Sequence, residues 1–292
     1  MKTRILAILA LCLCAACGRK PVNTERECFT FTDDYGVECK VPVNPERIVS
    51  LSPAVTEIMF AIGAGNLLVG RTEFCNFPPQ AGNIENIGGI SNLNVEKVIS
   101  LKPDLVIGGS MIPEKTSKLI ANAGIPVACV IEKDNFEGLF ENISKIGLLT
   151  DRSAGAERLN DSLKKELSEV FFESTDNVPT VYYVVGYGKS GNFTAGGNTF
   201  INDILTKAGT RNIAEDITGW EFGLESLLAA DPDYIIIRKE DAENFAETEP
   251  YRRLSAVKNN RIIAVESAYL DLQVPRNIEG LIFIYNATHP RK

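Results

Sequence analysis

One histidine, His289, stands fourth from the end of a 292-residue chain. That scarcity leaves no histidine general base or triad, and no histidine cluster to hold zinc or manganese. Catalysis and a resident metal or cofactor are therefore not expected. The residues that remain are suited to holding a molecule. Phe74, Tyr187, Phe193, Trp220 and Tyr269 fall in segments that read as loops just after strands, with Phe222 nearby. Open α/β sheets bind ligands at that edge, and flat rings there suit a large, partly apolar ligand. Any one ring could instead fill loop packing. Phe77, next to Pro78-Pro79, reads as packing. Arg71, Lys189 and Arg276 are the loop cations that could meet an anionic ligand.

Two carboxylates stand out by position. Glu96 and Glu225 each fall in the first turn of a predicted helix, where a negative charge favours the macrodipole by about 0.3–1 kcal/mol. Asn94 is placed to cap the first of these helices. The same two residues could also be matched exposed charges for docking on a basic partner.

A glycine pattern, Gly186-Tyr-Gly188-Lys-Ser-Gly191, follows a predicted strand and matches GxGxxG. In a dinucleotide fold the third glycine opens a packed helix. Here the chain continues as loop and the next helix starts near Thr199. Gly188-Lys189-Ser190 also resembles the end of a P-loop, but Tyr183 occupies the position that needs glycine.

The elements that must position these residues alternate. Residues 47–51, 104–107 and 126–131 read as apolar, β-branched strands, with helices over 53–62, 95–101 and 113–123. Ser52 is a predicted cap, with Pro53 at the first helical position. Residues 134–174 change character: Phe136, Leu139, Phe140, Ile143, Ile146 and Leu149 recur at helical spacing. A second, charged helical run begins after Asp151 and reads as a strut. The alternation then restarts, with strands over 180–185, 234–237 and 261–265 and helices over 199–208 and 278–285. Strand–helix alternation predicts parallel α/β sheets. The halves share a local unit. Glu96, Pro103 and Asp104 recur at the same spacing as Glu225, Pro232 and Asp233, each set leading into an apolar strand. Two similar lobes follow from that repeat.

The chain begins with Lys2 and Arg4, an apolar run over 5–13, and small residues before Cys17. That is the layout of a secretory signal peptide, too short for a permanent membrane span. The segment ending at Cys17 resembles a bacterial lipobox, with Cys14 where Leu is usual, and the resemblance implies cleavage before Cys17 and its lipidation. Removing 1–16 takes away Lys2 and Arg4 and moves the net charge from −8 to −10. An acidic chain argues against nucleic acid as a partner. Four cysteines follow the anchor. Cys28 and Cys39 flank a predicted hairpin turn at Asp33-Asp34-Tyr35-Gly36, which makes a Cys28–Cys39 disulfide an expectation. Cys129 reads as a buried free thiol, and Cys75 is left open. The expected organisation is a signal peptide over 1–16, a lipidated tether over 17–27, a first lobe over 28–150, a linking helix over 151–177 and a second lobe over 178–292.

Several stretches then resemble a known family. Arg47-Ile-Val-Ser-Leu-Ser-Pro53-Ala-Val-Thr-Glu57, Val69-Gly70, Phe77-Pro-Pro-Gln-Ala81 and the segment Glu96 to Val106 are similar to the periplasmic binding proteins of cobalamin and iron-chelate ABC importers. The likeness spans residues 29–285. It implies an α/β protein of two similar, parallel-rich lobes joined by one long α-helix, with modest opening and ligand held between the lobes. It implies that Glu96 and Glu225 pair with arginines on the two subunits of a permease dimer. Phe74 falls where cobalamin-binding members place a stacking Tyr, Phe193 matches a second aromatic contact, and Trp220 lies near a third. Ile90, Gly109, Ala268 and Leu272 depart from that pattern, the last two where cobalamin members carry polar anchors. The resemblance thus implies a monomeric, lipid-anchored protein on the periplasmic side of the cell envelope that captures cobalamin or a related corrinoid. A ferric siderophore or heme is the alternative cargo, so any metal arrives with the ligand. From other classes, an exported dinucleotide enzyme and a lipoprotein that has lost transport are the competing expectations.

Overall fold

The computed structural model describes residues 26–90, 92–170 and 178–290. The predicted signal peptide and the lipidation site Cys17 lie outside the described residues, as do residues 171–177 of the predicted linking helix. A hairpin comes first, β1 (Cys28–Thr32) and β2 (Glu38–Pro42), paired antiparallel. The first lobe follows with β3 (Ile48–Ser50), α1 (Pro53–Ala61), β4 (Leu68–Arg71), α2 (Val95–Ser100), β5 (Leu105–Gly108), α3 (Glu114–Asn122) and β6 (Val127–Cys129). Two helices come next, α4 (Phe136–Leu149) and α5 (Ser153–Glu169). The second lobe holds β7 (Thr180–Val184), α6 (Phe200–Lys207), β8 (Arg211–Asn212), α7 (Leu224–Ala230), β9 (Tyr234–Arg238), α8 (Ala242–Glu247), α9 (Ser255–Lys258), β10 (Ile262–Val265) and α10 (Asn277–Thr288).

The two four-stranded sheets are parallel and share one topology. Their orders are β4-β3-β5-β6 and β8-β7-β9-β10, so the strands correspond pair by pair in sequence order. Helices cover both faces, and the central strands are accordingly apolar throughout: Leu105 to Ile107 and Ile235 to Ile237 are fully buried. The short strands β4 and β8 lacked a clear periodic signal.

The repeated Pro-Asp unit has a physical role in each lobe. Lys102 and Asp231, each just before the proline, take left-handed backbone angles (φ 47° and 37°) that end α2 and α7. The aspartate that follows then fastens the neighbouring strand. Asp104 accepts from the backbone N–H of Arg47 at 2.7 Å and of Glu46 at 3.1 Å. Asp233 accepts from the backbone N–H of Thr180 at 2.8 Å and from its hydroxyl at 2.7 Å. β3 and β7, the strands so fixed, are equivalent.

Caps follow the sequence in part. Asn94 accepts from Lys97 N at 2.9 Å, and Thr199 from Asn202 N at 3.2 Å. Ser52 sits at the start of α1, but its side chain makes no capping bond. The neighbouring Ser50 hydroxyl takes the local bonds, donating to Ser52 O at 2.9 Å and accepting from Thr56 at 2.8 Å.

The expected Cys28–Cys39 disulfide is absent, and the ladder register explains why. Cys28 lies opposite Pro42, and Cys39 lies opposite Phe31. The offset of three residues is about 10 Å along the strand, beyond the ~7 Å limit for a bridge. An odd offset also puts the two side chains on opposite faces. Both are free thiols, as are the buried Cys75 and Cys129. Burial, with Asp33 nearby, pushes the Cys39 and Cys129 thiols up to about 11.

α4 and α5 form an antiparallel pair between the lobes. α5 has 17 residues, about 25 Å at 1.5 Å each. Gly155 lets it approach the backbone carbonyl of Ile62 where a Cβ would collide. Buried residues of both lobes and of α4 and α5 form one continuous apolar cluster.

Asp104 gives this framework a pH signature. Desolvation alone would raise its pKa, but the bonds from the Glu46 amide, the Arg26 guanidinium and the Arg47 amide outweigh it and hold the carboxyl below its ordinary 3.8. A depressed folded pKa means stability that is present above the ordinary value and lost as pH falls through the folded one. Asp104→Asn is expected to cost about 1.5–3 kcal/mol at neutral pH. In urea titrations its deficit against wild type should shrink as pH falls through and below the ordinary carboxylate value of 3.8.

Candidate functional site

Parallel strands in both lobes end toward the gap between them, so the loops that follow the strands supply its walls. Three sets of contacts bridge this gap. Arg276, just before α10, donates from Nε to Glu57 Oε1 at 2.9 Å and from Nη2 to Oε2 at 2.7 Å. The Glu57 side chain is only 5% exposed on α1. The same guanidinium carbon lies 3.6 Å above the centre of the Phe77 ring. Gln273 donates to the carbonyls of Lys133 at 2.6 Å and Asn135 at 3.1 Å, and accepts from Lys133 N at 3.1 Å and Asn142 at 3.2 Å. Asp203 of α6 accepts from Phe136 N at 3.0 Å, where Phe200 meets Phe136 edge-on at 5.2 Å. Two-point carboxylate recognition and the aromatic face beneath it make Arg276 unsuitable for replacement by Lys.

An open cleft of about 640 Å³ lies at this junction. The first lobe lines it with Glu57, Phe77 and Gln80, the second with Glu266, Tyr269 and Arg276. A second groove, of about 720 Å³, lies between the hairpin and α3 and takes no residue from the second lobe. Among the described residues no cluster of three or more His, Cys, Asp or Glu could hold a metal ion.

The predicted ring residues are distributed unevenly around the gap. Phe74, in the loop after β4, is 51% exposed, and Trp220 is 47% exposed. Tyr269 is half-buried and lines the interlobe cleft. Phe77, expected to serve loop packing, does pack, but its partner is the arginine of the opposite lobe. Tyr187 is a packing residue of the second lobe: its ring stands edge-on to Phe245 at 5.1 Å and Tyr251 at 5.6 Å, and its hydroxyl accepts from Asn244 at 2.6 Å. Phe193 bridges Gly186 on one side and Glu221 on the other.

The Gly186–Gly191 segment therefore has a local purpose. A Cβ at Gly186 or Gly191 would come within 3.2 Å of the Phe193 ring. Gly188 and Gly191 take φ angles of 89° and 113°. The segment forms a short 3₁₀ turn around an aromatic side chain, and no packed helix follows it. The dinucleotide pattern has no structural counterpart.

The loop cations are largely engaged within the protein. Arg71 donates to Ala81 O at 3.2 Å, Thr72 O at 3.0 Å and Gly82 O at 3.5 Å, which fixes the loop after Phe77. Arg276 is neutralised by Glu57. Lys189 is exposed. Residues the sequence did not single out are Glu57, Gln273, Arg238 and Asp271. Arg238 ends β9 and donates from Nε to Asp271 Oδ2 at 2.6 Å. Its signal was available: a run of three isoleucines ends in a charge at the strand exit.

Glu96 and Glu225 are both exposed, each in the first turn of its helix. Neither has an ion-pair partner among the described residues. Helices in such crossovers run antiparallel to the strands, so both carboxylates sit toward the strand-exit edge that borders the gap.

A bilobed α/β protein with ligand-sized space between its lobes has the architecture of a binding protein. Residues 48–269 match the periplasmic binding protein family, and the chain belongs to it. The family serves transport by binding substrate. The chain is 30% identical over 300 residues to the uncharacterized ABC transporter substrate-binding lipoprotein YvrC of Bacillus subtilis, covering 97% of this chain and 95% of that one. It is 27% identical to the cobalamin-binding protein of Halobacterium salinarum, covering 98% and 84%. Among solved structures, the periplasmic heme-binding protein RhuT of Roseiflexus sp. RS-1 superimposes with a TM-score of 0.71 at 28% identity, covering 84% of this chain and 99% of that one.

Glu57 and Arg276 yield a stability test. Removing one member of a buried pair strands the other, at a cost of about 3–5 kcal/mol, while apolar replacement of both can be nearly neutral. Arg276→Met is expected to lose about 3 kcal/mol in urea unfolding. Adding Glu57→Leu should recover most of that loss.

Proposed function

We propose that this chain captures a corrinoid between its lobes and hands it to the permease of an ABC importer. The observation that carries the choice of cargo is the state of the loop cations. An anionic ferric chelate needs several free cationic side chains, and Arg71 and Arg276 are committed to protein partners. Exposed rings at Phe74 and Trp220, with Tyr269 in the cleft, suit a broad, largely neutral ligand. Phe193 shapes the loop beside Trp220, and Tyr187 buttresses it from behind. The cobalamin-binding relative adds support.

The second reading is heme, favoured by the likeness to a heme-binding protein. The sole histidine offers no help there. His289 stacks on Tyr285 at the end of α10, with ring centres 4.5 Å apart. An iron ligand would have to come from another side chain, such as Tyr269.

The chain's single tryptophan reports on both. Cobalamin is expected to quench Trp220 fluorescence saturably at micromolar concentration or below, with hemin at least tenfold weaker. Hemin binding tighter than cobalamin would reverse the assignment.

Delivery rests on Glu96 and Glu225 as docking charges, one on each lobe, facing arginines of a permease dimer. The protein acts as a monomer, held on the periplasmic side of the envelope by a lipid on Cys17. Charge reversal of both, Glu96→Lys with Glu225→Lys, should leave ligand affinity unchanged. It should reduce uptake by roughly tenfold or more, since like charges across an interface cost several kcal/mol. Wild-type association with the permease should weaken with added salt. Unchanged uptake in the double variant would remove the docking role.

A further inference from the structure

We propose that Arg238 is the polar anchor of the cargo on the second lobe, offering its two Nη groups to one oxyanion of the ligand. The proposal rests on the corrinoid reading, in which the oxyanion is the phosphodiester of the nucleotide tail.

The sequence of β9 sets the position. Ile235, Ile236 and Ile237 are fully buried, and Arg238 is the last residue of the strand. β9 is a central strand, between β7 and β10, so its end opens onto the middle of the second lobe's face of the gap. The core therefore stops at Ile237, and the charge begins where the gap begins.

The side chain is held chiefly through its Nε edge. Its Nε donates to Asp271 Oδ2 at 2.6 Å, and the other oxygen of Asp271 accepts from the hydroxyl of Tyr183. Tyr183 is fully buried in β7, so the carboxylate is anchored from beneath. Neither Nη1 nor Nη2 of Arg238 has an acceptor within 3.5 Å among the described residues, the Tyr183 hydroxyl approaching the guanidinium only more loosely, and the side chain is 30% exposed. Asp271 precedes by two residues Gln273, which reaches across to Lys133 of the first lobe. The free edge of the guanidinium thus lies beside the seam between the lobes.

A guanidinium fixed through Nε retains the fork formed by its two Nη groups. That fork matches two oxygens of a phosphate or carboxylate. Asp271 offsets much of the local charge, so the site favours one anionic group over a multiply charged chelate. The neighbouring Lys239 pairs with Glu266 at 3.6 Å. Asp271 and Tyr183 act through Arg238 and are positioning residues.

Two corrinoids separate the anchor from the rest of the site. Cobinamide carries the ring and its amides but lacks the nucleotide and its phosphate. Purified protein is titrated with cobalamin and cobinamide, reading Trp220 fluorescence and equilibrium dialysis. Wild type should prefer cobalamin. Arg238→Met should weaken cobalamin by about 10- to 100-fold, the scale of a lost charged hydrogen bond, and leave cobinamide unchanged. Arg238→Lys should restore part of the preference, and Asp271→Asn should weaken cobalamin without altering cobinamide. Equal loss for both corrinoids, or no loss for either, overturns the anchor. Where wild type binds neither corrinoid, the corrinoid reading fails on its own. The same variant is then compared on hemin and hemin dimethyl ester. If Arg238→Met keeps the wild-type preference for the free acid, the anchor is refuted, and a wild type that binds none of the four overturns both proposals.

Discussion

Glu57 is the constraint on which the arrangement of the lobes depends. A carboxylate that is 5% exposed on a helix of one lobe is costly to bury without a partner, and the partner arrives from the other lobe. Arg276 satisfies both carboxylate oxygens and covers the Phe77 ring with the same planar group. One side chain therefore fixes α1, the Phe77 loop and the start of α10 relative to one another. Separation of the lobes would leave Glu57 to find water in a largely apolar setting. Gln273 and Asp203 add neutral and charged bonds to the backbone at Lys133 and Phe136, on the other side of the junction. Together with the core that runs through α4 and α5, they favour small changes of angle over a wide hinge.

The internal repeat has two layers of meaning. Its prolines and aspartates are structural: each pair ends a helix in a left-handed turn and ties the next strand through a carboxylate. Its glutamates make no such bond. Because the same unit builds both lobes, the two free carboxylates fall at equivalent places on equivalent sheets. A symmetric pair of subunits could meet both with the same cationic surface, which is a constraint no single lobe could satisfy. Duplication of a folding unit thus carries a pair of exposed charges with it, whether or not folding needs them.

The fold was legible in the sequence because its signals are local. Parallel strands buried on both faces appear as unbroken apolar runs, as in Leu105 to Ile107, and the amphipathic period of α4 is visible over four turns. The site was legible only in outline. Trp220 and Phe74 were readable as loop aromatics and are exposed, while Tyr187 turned out to brace Phe245 and Tyr251. The Glu57–Arg276 pair joins residues 219 positions apart, and no local pattern announces such a partnership. The disulfide expectation failed for the opposite reason: the cysteines are close in sequence, but a strand's two-residue period put their side chains on opposite faces. Register, which the hairpin turn sets, could not be inferred from the flanking residues alone.

Electrostatics then divides the loop charges by task. Arg71 and Arg276 are spent on geometry, one holding the 79–83 turn and the other joining the lobes. Either could be mistaken for a ligand contact from sequence, since both sit in loops at the gap. Arg238 differs because its strand, not a loop, delivers it, and because its one close hydrogen bond, to Asp271, is made through Nε. An arginine whose every donor is satisfied rigidifies a protein. One held at Nε and open at its fork keeps its orientation without losing its capacity to bind. Partial satisfaction is costly in a core, where water is excluded, but a strand exit is open to solvent, which can hydrogen-bond a free donor. The placement of Arg238 at the boundary between isoleucine core and solvent-filled gap is what makes an unfilled guanidinium tolerable there.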